Sequence, residues 1–547
     1  MNAAGLTRYH FARSGIYSRR MTPTSGTKYD SWSREDLIAR LVQIEQAKFR
    51  PVPKPDRPST VASAPSSSST STSISTSTST KLFHFAAQPR RKIALKFCYS
   101  GWEYGGLAYQ NVPTPLPTVE GVMFDAFAKA RLIDPEAGMD GCGWEKCGRT
   151  DRGVSAAGQV ISLWVRSALK GEHGGEAVER VGAPTEVHEE AGIEKQPLPG
   201  VDEDPFPSFD LTDEVPSNTS TSTTLSPPKP AFEHDYLAIL NRILPPTIRI
   251  LAWSPVKPTF SARYACTYRH YKYFFSNHDN SLDIPLIQDA ASRLVGEHDF
   301  RNLCKLDPAK QITIFTRRIL RAEIDEVQGS EGMYVLNLVG SAFLYHQVRH
   351  IMAILLLVGS GLEHPSVVSS LLNVSPNTET SRPNDPPLEV VDRKPEYQMA
   401  DALPLMLWEC GYPPDELDWR TNSTYGTPQS LGVDGSGSEL YHQMQSIWTR
   451  SQIYTVLDQH FLQASSRHHP SPTPVFPVKS KEELQGRTTM LNVPLGGGVF
   501  KRASKYVEVL NRSRIEHFEV TNERWRLGKG ARKEERKREV ANDDSEE

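Results

Sequence analysis

The chain has 547 residues, 62 Lys and Arg against 65 Asp and Glu, and a formal net charge of −3, which leaves room for several domains. That balance, with a pI near 6.6, excludes a protein held on nucleic acid by uniform basicity, although acidic and basic residues are segregated along the chain. Six cysteines, with only Cys142 and Cys147 close together, exclude a disulfide scaffold and a Cys-x-x-Cys zinc hook and fit reduced thiols.

Residues 1–28 contain Arg8, Arg13, Arg19, Arg20 and Lys28 and no acid, the composition of a mitochondrial transit peptide. A start at Met21 is the equal alternative. The spacing of Leu37, Leu41 and Ile44 after Ser33 predicts a short helix over 34–47. A Pro-rich and then Ser/Thr-rich tract over 51–80 cannot bury enough apolar surface to order itself. Residues 1–89 therefore read as a disordered region with one short helix.

A first folded unit is expected over 90–167. Ile93, Leu95, Phe97 and Tyr99 alternate with Lys92, Ala94, Lys96 and Cys98, as in a half-buried strand. A loop with Gly101, Gly105 and Gly106 follows, then an amphipathic helix from about Val119 to Arg131. Cys147-Gly148-Arg149-Thr150-Asp151-Arg152-Gly153-Val154-Ser155-Ala156 reads as a tight turn entering a strand through Val160, Ile161, Leu163 and Val165. An Asp on that turn, with cations either side favouring its ionised form, could act as a nucleophile or base on an anionic substrate. An Asp bonding its own turn backbone is the plainer alternative.

Residues 168–232 are rich in Glu, Asp, Ser, Thr and Pro and read as an acidic disordered insert. A second unit is expected over 233–419. It opens with a helix at 236–241 and a strand through Ile248, Ile250, Ala252 and Ser254. Phe260-Ser261-Ala262-Arg263-Tyr264 leads to Tyr268-Arg269-His270-Tyr271-Lys272-Tyr273, where Arg263, Arg269 and Lys272 alternate with rings. Cations for phosphate beside rings for bases suit single-stranded RNA, while a strand with a basic solvent face gives the same pattern.

Further on come a helix at 285–294, a Gly296-to-Asn302 loop packing Phe300 inward, and a hairpin about Gly329 and Gly332. Ile351 to Val358 is too short to cross a bilayer and fits a buried helix. His346 and His350 are four residues apart, as in a zinc helix, but Gln347 stands where that motif needs Glu and no third ligand is evident. A strand is expected at 402–412. Residues 420–547 read as a linker, a long helix from Glu439 to Gln463 and a basic tail with Arg532, Lys533, Arg536, Lys537 and Arg538. Such a run is a solvated face, a nuclear localisation signal or an RNA-touching tail.

Three of these stretches together resemble the TruA family of tRNA pseudouridine synthases, over about 90–167 and 234–412. The turn is similar to the family's Gly-Arg-Thr-Asp-x-Gly-Val-Ser-Ala motif. The 260–275 stretch is similar to its Ala-Arg segment and Arg-x-Tyr-x-Tyr strand. Phe343-Leu344-Tyr345-His346-Gln347-Val348-Arg349 resembles its Phe-Leu-x-His-x-Val-Arg helix. The resemblance implies an α/β (α+β) fold of two similar ferredoxin-like or RRM-like subdomains, whose abutting antiparallel sheets form a basic RNA cleft. It implies Asp151 as nucleophile or base, Arg349 pairing with it, Tyr271 stacking on the target uracil and Arg149 extruding the base. Arg152, Arg263, Arg269 and Lys272 would contact RNA.

Neither cofactor nor metal is implied, and tRNA is the partner. The phrases around Trp102–Gly106 and Ala342–Arg349 look most like the eukaryotic branch acting on uridines 38 and 39 of the anticodon stem-loop. Bacterial relatives are dimers, so a homodimer is an expected partner arrangement, with no membrane and a nuclear or cytoplasmic location. The rival readings are a catalytically silent tRNA-binding chaperone, a synthase of other uridine specificity, and a metallohydrolase using His346 and His350.

Overall fold

A computed structural model describes residues 83–110, 112, 114–169, 233–376, 378–421, 436–471, 475–479, 490–533 and 535–536. The expected transit segment, the 34–47 helix, the Ser/Thr tract, nearly all of the acidic insert and most of the 420–435 linker lie outside them. Among the described residues no helix is long and apolar enough to cross a membrane.

Strand β1 (Arg90–Tyr99) is central to the first half of a nine-stranded sheet. Helix α1 (Val119–Lys129) follows. The Thr118 side chain caps it by accepting from the Gly121 amide, and Arg131 in the left-handed region (φ 54°) ends it. The two-residue β2 (Glu145–Lys146) and the long β3 (Ser155–Arg166) bracket the Asp151 turn. Helix α2 (Tyr236–Ile243) and strand β4 (Ile248–Pro255) then complete this half, because β4 pairs antiparallel with β1. The expected boundary at 233 is corrected accordingly: the chain returns after the insert to finish the first sheet before starting the second.

The second half runs β5 (Tyr268–Ser276), α3 (Ile284–Ser292), β6 (Gly296–Asp299), β7 (Thr316–Glu326), β8 (Met333–Gly340), α4 (Gln347–Gly359), α5 (Ser366–Leu372) and β9 (Leu405–Gly411). The 296–299 segment expected as a loop is a short edge strand on β7, and Phe300 behind it is buried as expected. Gly329 and Gly332 take positive φ in the hairpin. Helix α4 is apolar on nearly every side and is buried, as such a pattern requires in water.

The strand order is β4-β1-β3-β9-β5-β8-β7-β6, with β2 beside β3. Every pairing is antiparallel except the join between halves, where Ser155 pairs with Met406 and Ala156 with Leu407 in parallel register. Gly158 permits this approach, since a Cβ there would lie 2.5 Å from the Trp408 carbonyl oxygen. The two expected sheets therefore abut as one continuous sheet, joined a few residues beyond Asp151.

Past the core, α6 (Ser436–Ser466) is the expected long helix. The hairpin of β10 (Leu491–Gly496) and β11 (Val499–Ala503) and the helix α7 (Phe518–Trp525) were not anticipated. Val493, Val509 and Phe518 of this arm are buried against the second half.

Candidate active site and nucleic-acid interface

Buried polar contacts brace the Asp151 turn from below. Glu120, fully buried, accepts from Lys146 Nζ (2.8 Å), Trp144 Nε1 (2.9 Å) and the Tyr109 amide (2.8 Å), which fixes the strand leading into the turn. Gln159 Nε2 donates to the Gly148 carbonyl at 2.9 Å, and the Tyr99 hydroxyl meets Thr150 Oγ1 at 2.5 Å. Gly106, at φ 112°, lies so close that a Cβ would come 3.3 Å from the Thr150 carbonyl. The turn is held on rigid elements, as a positioned reactive group requires.

Above it opens a cleft of about 1280 Å³ lined from both halves. Its wall carries eight Lys and Arg side chains against three carboxylates, a local reversal of the chain's net negative charge. Asp151 lies in this cleft with its side chain one quarter exposed. Its Oδ2 is 3.2 Å from His346 Nε2 and 3.9 Å from Arg349 Nη1. Arg349 is oriented by donating Nε–H to the Ala400 carbonyl at 2.8 Å. Oδ1 of Asp151 takes no hydrogen bond among the described residues.

His346 is the contact that sequence reasoning missed. It stands before the first turn of α4 in the left-handed conformation, φ 59°, a rare state for a non-glycine residue. Its Nε2 faces Asp151, whereas its buried Nδ1 has no partner. His350, expected with it on one helical face, instead lies 3.2 Å from Lys394 Nζ. Burial, then Lys394, lowers its pKa well below the usual imidazole value. The two rings thus face different partners and do not form a ligand pair. Among the described residues no cluster of three or more His, Cys, Asp or Glu is arranged to hold a metal ion.

Tyr271 lines the cleft, nearly buried, with its ring edge-on to Phe343 at 5.0 Å and 82°. Burial pushes its hydroxyl well above the usual phenol range. Arg149, Arg152 and Arg263 also line the cleft and are exposed. Arg269 is in the cleft too, but its guanidinium donates to the carbonyls of Ser341 (2.9 Å), Cys147 (3.1 Å) and Arg263 (3.1 Å). It ties three cleft segments together and has few donors left for phosphate.

Lys272 lies apart from the other cations of its stretch. Successive residues of a strand face opposite ways, and its Nζ sits 3.9 Å from the centre of the Trp408 ring, outside the cleft lining. Tyr264, 77% exposed on the cleft wall, offers a free ring face beside Arg263. Lys310, set 3.5 Å over the Tyr345 ring, adds a cation on the far wall that no sequence pattern marked.

Below the turn, Cys147, Cys266 and Cys410, scattered in sequence, are buried as neighbouring free thiols. Hydrogen bonds from Cys266 and then Cys410 lower the Cys147 thiol, whereas hydrogen bonding to Cys147 raises both Cys266 and Cys410.

The sequence model described as tRNA pseudouridine synthase matches residues 290–413. A tRNA pseudouridine(38/39) synthase of Saccharomyces cerevisiae is 37% identical over 393 residues, 72% of this chain and 73% of that protein. The Homo sapiens protein of the same description is 34% identical over 437 residues, 78% of this chain and 73% of its own length. The chain belongs to the tRNA pseudouridine synthase family. An archaeal member, tRNA pseudouridine synthase A of Methanothrix thermoacetophila, is 28% identical over 334 residues, 60% of this chain and 85% of its own.

Proposed function

We propose that this chain is a tRNA pseudouridine synthase that isomerises uridines 38 and 39 of the anticodon stem-loop, with Asp151 as its nucleophile or base. One observation carries the reading: a carboxylate with His346 Nε2 3.2 Å from one oxygen and Arg349 beside it, at the base of a cation-lined cleft. The choice of uridines is supported by the descriptions of the yeast and human relatives.

The reaction breaks the C1′–N1 glycosidic bond, turns the uracil and forms a C1′–C5 bond, with the C5 proton released to solvent and one proton taken up at N1. Oδ1 of Asp151, which takes no hydrogen bond among the described residues, would be the oxygen that acts. Attack at C6, attack at C1′ and abstraction of the 2′ proton are all compatible with it. A uridine in a stem-loop must leave its stack to reach such a floor, at a cost of a few kcal/mol. Arg149 would hold the displaced backbone, and the Tyr271 ring would replace stacking lost in the RNA. Arg152 and Arg263 would follow the phosphate path, each phosphate contact steepening the salt dependence of binding.

A homodimer sharing one tRNA, and a nuclear or cytoplasmic location, belong to the same proposal; sedimentation of the purified chain tests the first. Tritium release from tRNA labelled at uracil C5 tests the reaction, with pseudouridine mapping at positions 38 and 39 for its site. Tight tRNA binding without release would favour a silent chaperone instead.

A further inference from the structure

The C-terminal arm does more than cover the core. After β11 it runs along the second half, where the Ser513 carbonyl accepts from the Glu396 amide and the Ile515 amide donates to the Lys394 carbonyl, both at 2.9 Å. Helix α7 then seats on the outer side of a cleft wall. Phe518 meets Phe315 edge-on at 4.9 Å, and the Arg301 guanidinium lies 5.3 Å over its ring. Asn522 Nδ2 donates to the Ile312 carbonyl, and Gln311 Nε2 donates to the Asn522 carbonyl, both at 3.1 Å. The wall segment so gripped carries Asp307, Lys310 and Ile312 on its cleft side.

The helix does not stop at Trp525. It continues through a five-residue π segment, Arg526–Gly530, to Lys533. From Phe518 to Lys533 it is roughly 24 Å long at 1.5 Å per residue. Two of its arginines are paired early, Arg524 with Glu516 at 2.6 Å and Arg526 with Glu523 at 3.3 Å, and Glu535 is an exposed acid among the cations that follow. Lys529, Arg532, Lys533 and Arg536 lie beyond those pairs, exposed and without an ion pair among the described residues. They follow one another at three, four and seven residues, the spacing of one helical face. Four like charges on one face repel each other when nothing anionic is near.

We infer that this basic face is a second phosphate-binding surface for the substrate RNA, carrying the cationic lining of the cleft outward past Lys310 and Arg317. The partner is the sugar-phosphate backbone of the tRNA whose uridine occupies the cleft, and the inference rests on the proposed tRNA reading. Phosphate contacts of this kind fix register without reading sequence. They suit an enzyme whose target must be found by the position of the whole molecule.

The test uses the full chain and an unmodified full-length tRNA. A triple variant, Lys529→Glu with Arg532→Glu and Lys533→Glu, is compared with wild type by fluorescence anisotropy from 50 to 200 mM KCl. Each lost contact should flatten the logarithmic salt slope by ~0.7–0.9. The variant should therefore lose about two to three from the slope and at least about tenfold in affinity at the upper salt. A charge-keeping triple, Lys529→Arg with Arg532→Lys and Lys533→Arg, should bind as wild type. An unchanged slope and Kd in the reversed variant would overturn the inference and leave the basic run to another acidic partner. Loss of affinity in the charge-keeping variant would overturn it too. Failure of wild type to release tritium while binding tRNA would sink the synthase reading alone.

Discussion

The two halves of the sheet contribute unlike things to one site. The half built from β4, β1 and β3 supplies the acid, on a turn locked by neutral or internally paired groups such as Glu120–Lys146 and Tyr99–Thr150. The half built from β9, β5, β8, β7 and β6 supplies what faces that acid: His346, Arg349 and the Tyr271 ring. The lesson is one of assembly. The carboxylate and the groups that hold it belong to opposite sides of a two-pair parallel join, so the site exists only when both halves have folded and docked. Arg269, bonded to carbonyls of both halves, reinforces that dependence.

The sharpest way to break the comparison is to remove the first half's contribution while leaving its shape. Asp151→Asn keeps the volume and loses the charge, and should reduce single-turnover tritium release by about 10³-fold or more. Its tRNA affinity should stay within a few fold, because the cations that bind phosphate remain. Residual turnover near wild type would show the acid to be elsewhere.

Next come the second half's contributions. Arg349→Ala removes a cation beside Asp151 and its tie to the Ala400 carbonyl. Activity should fall by about 100-fold and stability by roughly 1–3 kcal/mol together; unchanged melting with full activity would dismiss the pair. His346→Gly separates two properties of one residue. Glycine adopts φ 59° without strain, so melting should hold or rise, while losing the imidazole beside Asp151 should lower kcat about 10- to 30-fold with KM unchanged. His346→Gln, which can still donate, should recover much of that loss. A glycine variant as fast as wild type would reduce His346 to a helix cap.

Much of this was legible before any coordinates. Alternating and helical apolar spacing located β1, α1, α4 and β9, and the three motifs located the parts that meet in the cleft. What was not legible has physical causes. His346 looked like half of a metal pair because periodicity assumes that both histidines lie on the helix, whereas His346 is turned off it by its left-handed backbone. Lys272 shared a basic, aromatic stretch with Arg269, and only the strand's two-residue alternation decides which cation faces the cleft. Arg269 looked like an RNA contact because composition cannot reveal that three carbonyls, two of them distant in sequence, will converge on one guanidinium. The β10–β11 hairpin has a proline in its first strand and glycines at 496–498, which reads as loop until the second half provides a surface for it.

The smallest expected effect sharpens the comparison at the arm, which packs on the second half. Glu363 accepts from the Tyr506 hydroxyl at 2.5 Å and the Val509 amide at 2.7 Å. Burial pushes its carboxyl up to about 7, against about 4.3 for an exposed glutamate. A carboxyl raised on folding favours the protonated folded state, so its contribution is complete below the unfolded value and is lost as pH rises through about 7. Glu363→Gln fixes the neutral state. The variant should be more stable than wild type by roughly 1–3 kcal/mol at pH 8, with the gap closing toward pH 5. Its single-turnover rate should be unchanged, since neither Tyr506 nor Val509 lines the cleft. Parallel melting curves across that range would mean that the arm's contact with Glu363 does not depend on its charge. A fall in rate at pH 8 in wild type alone would instead couple the arm to the catalytic half.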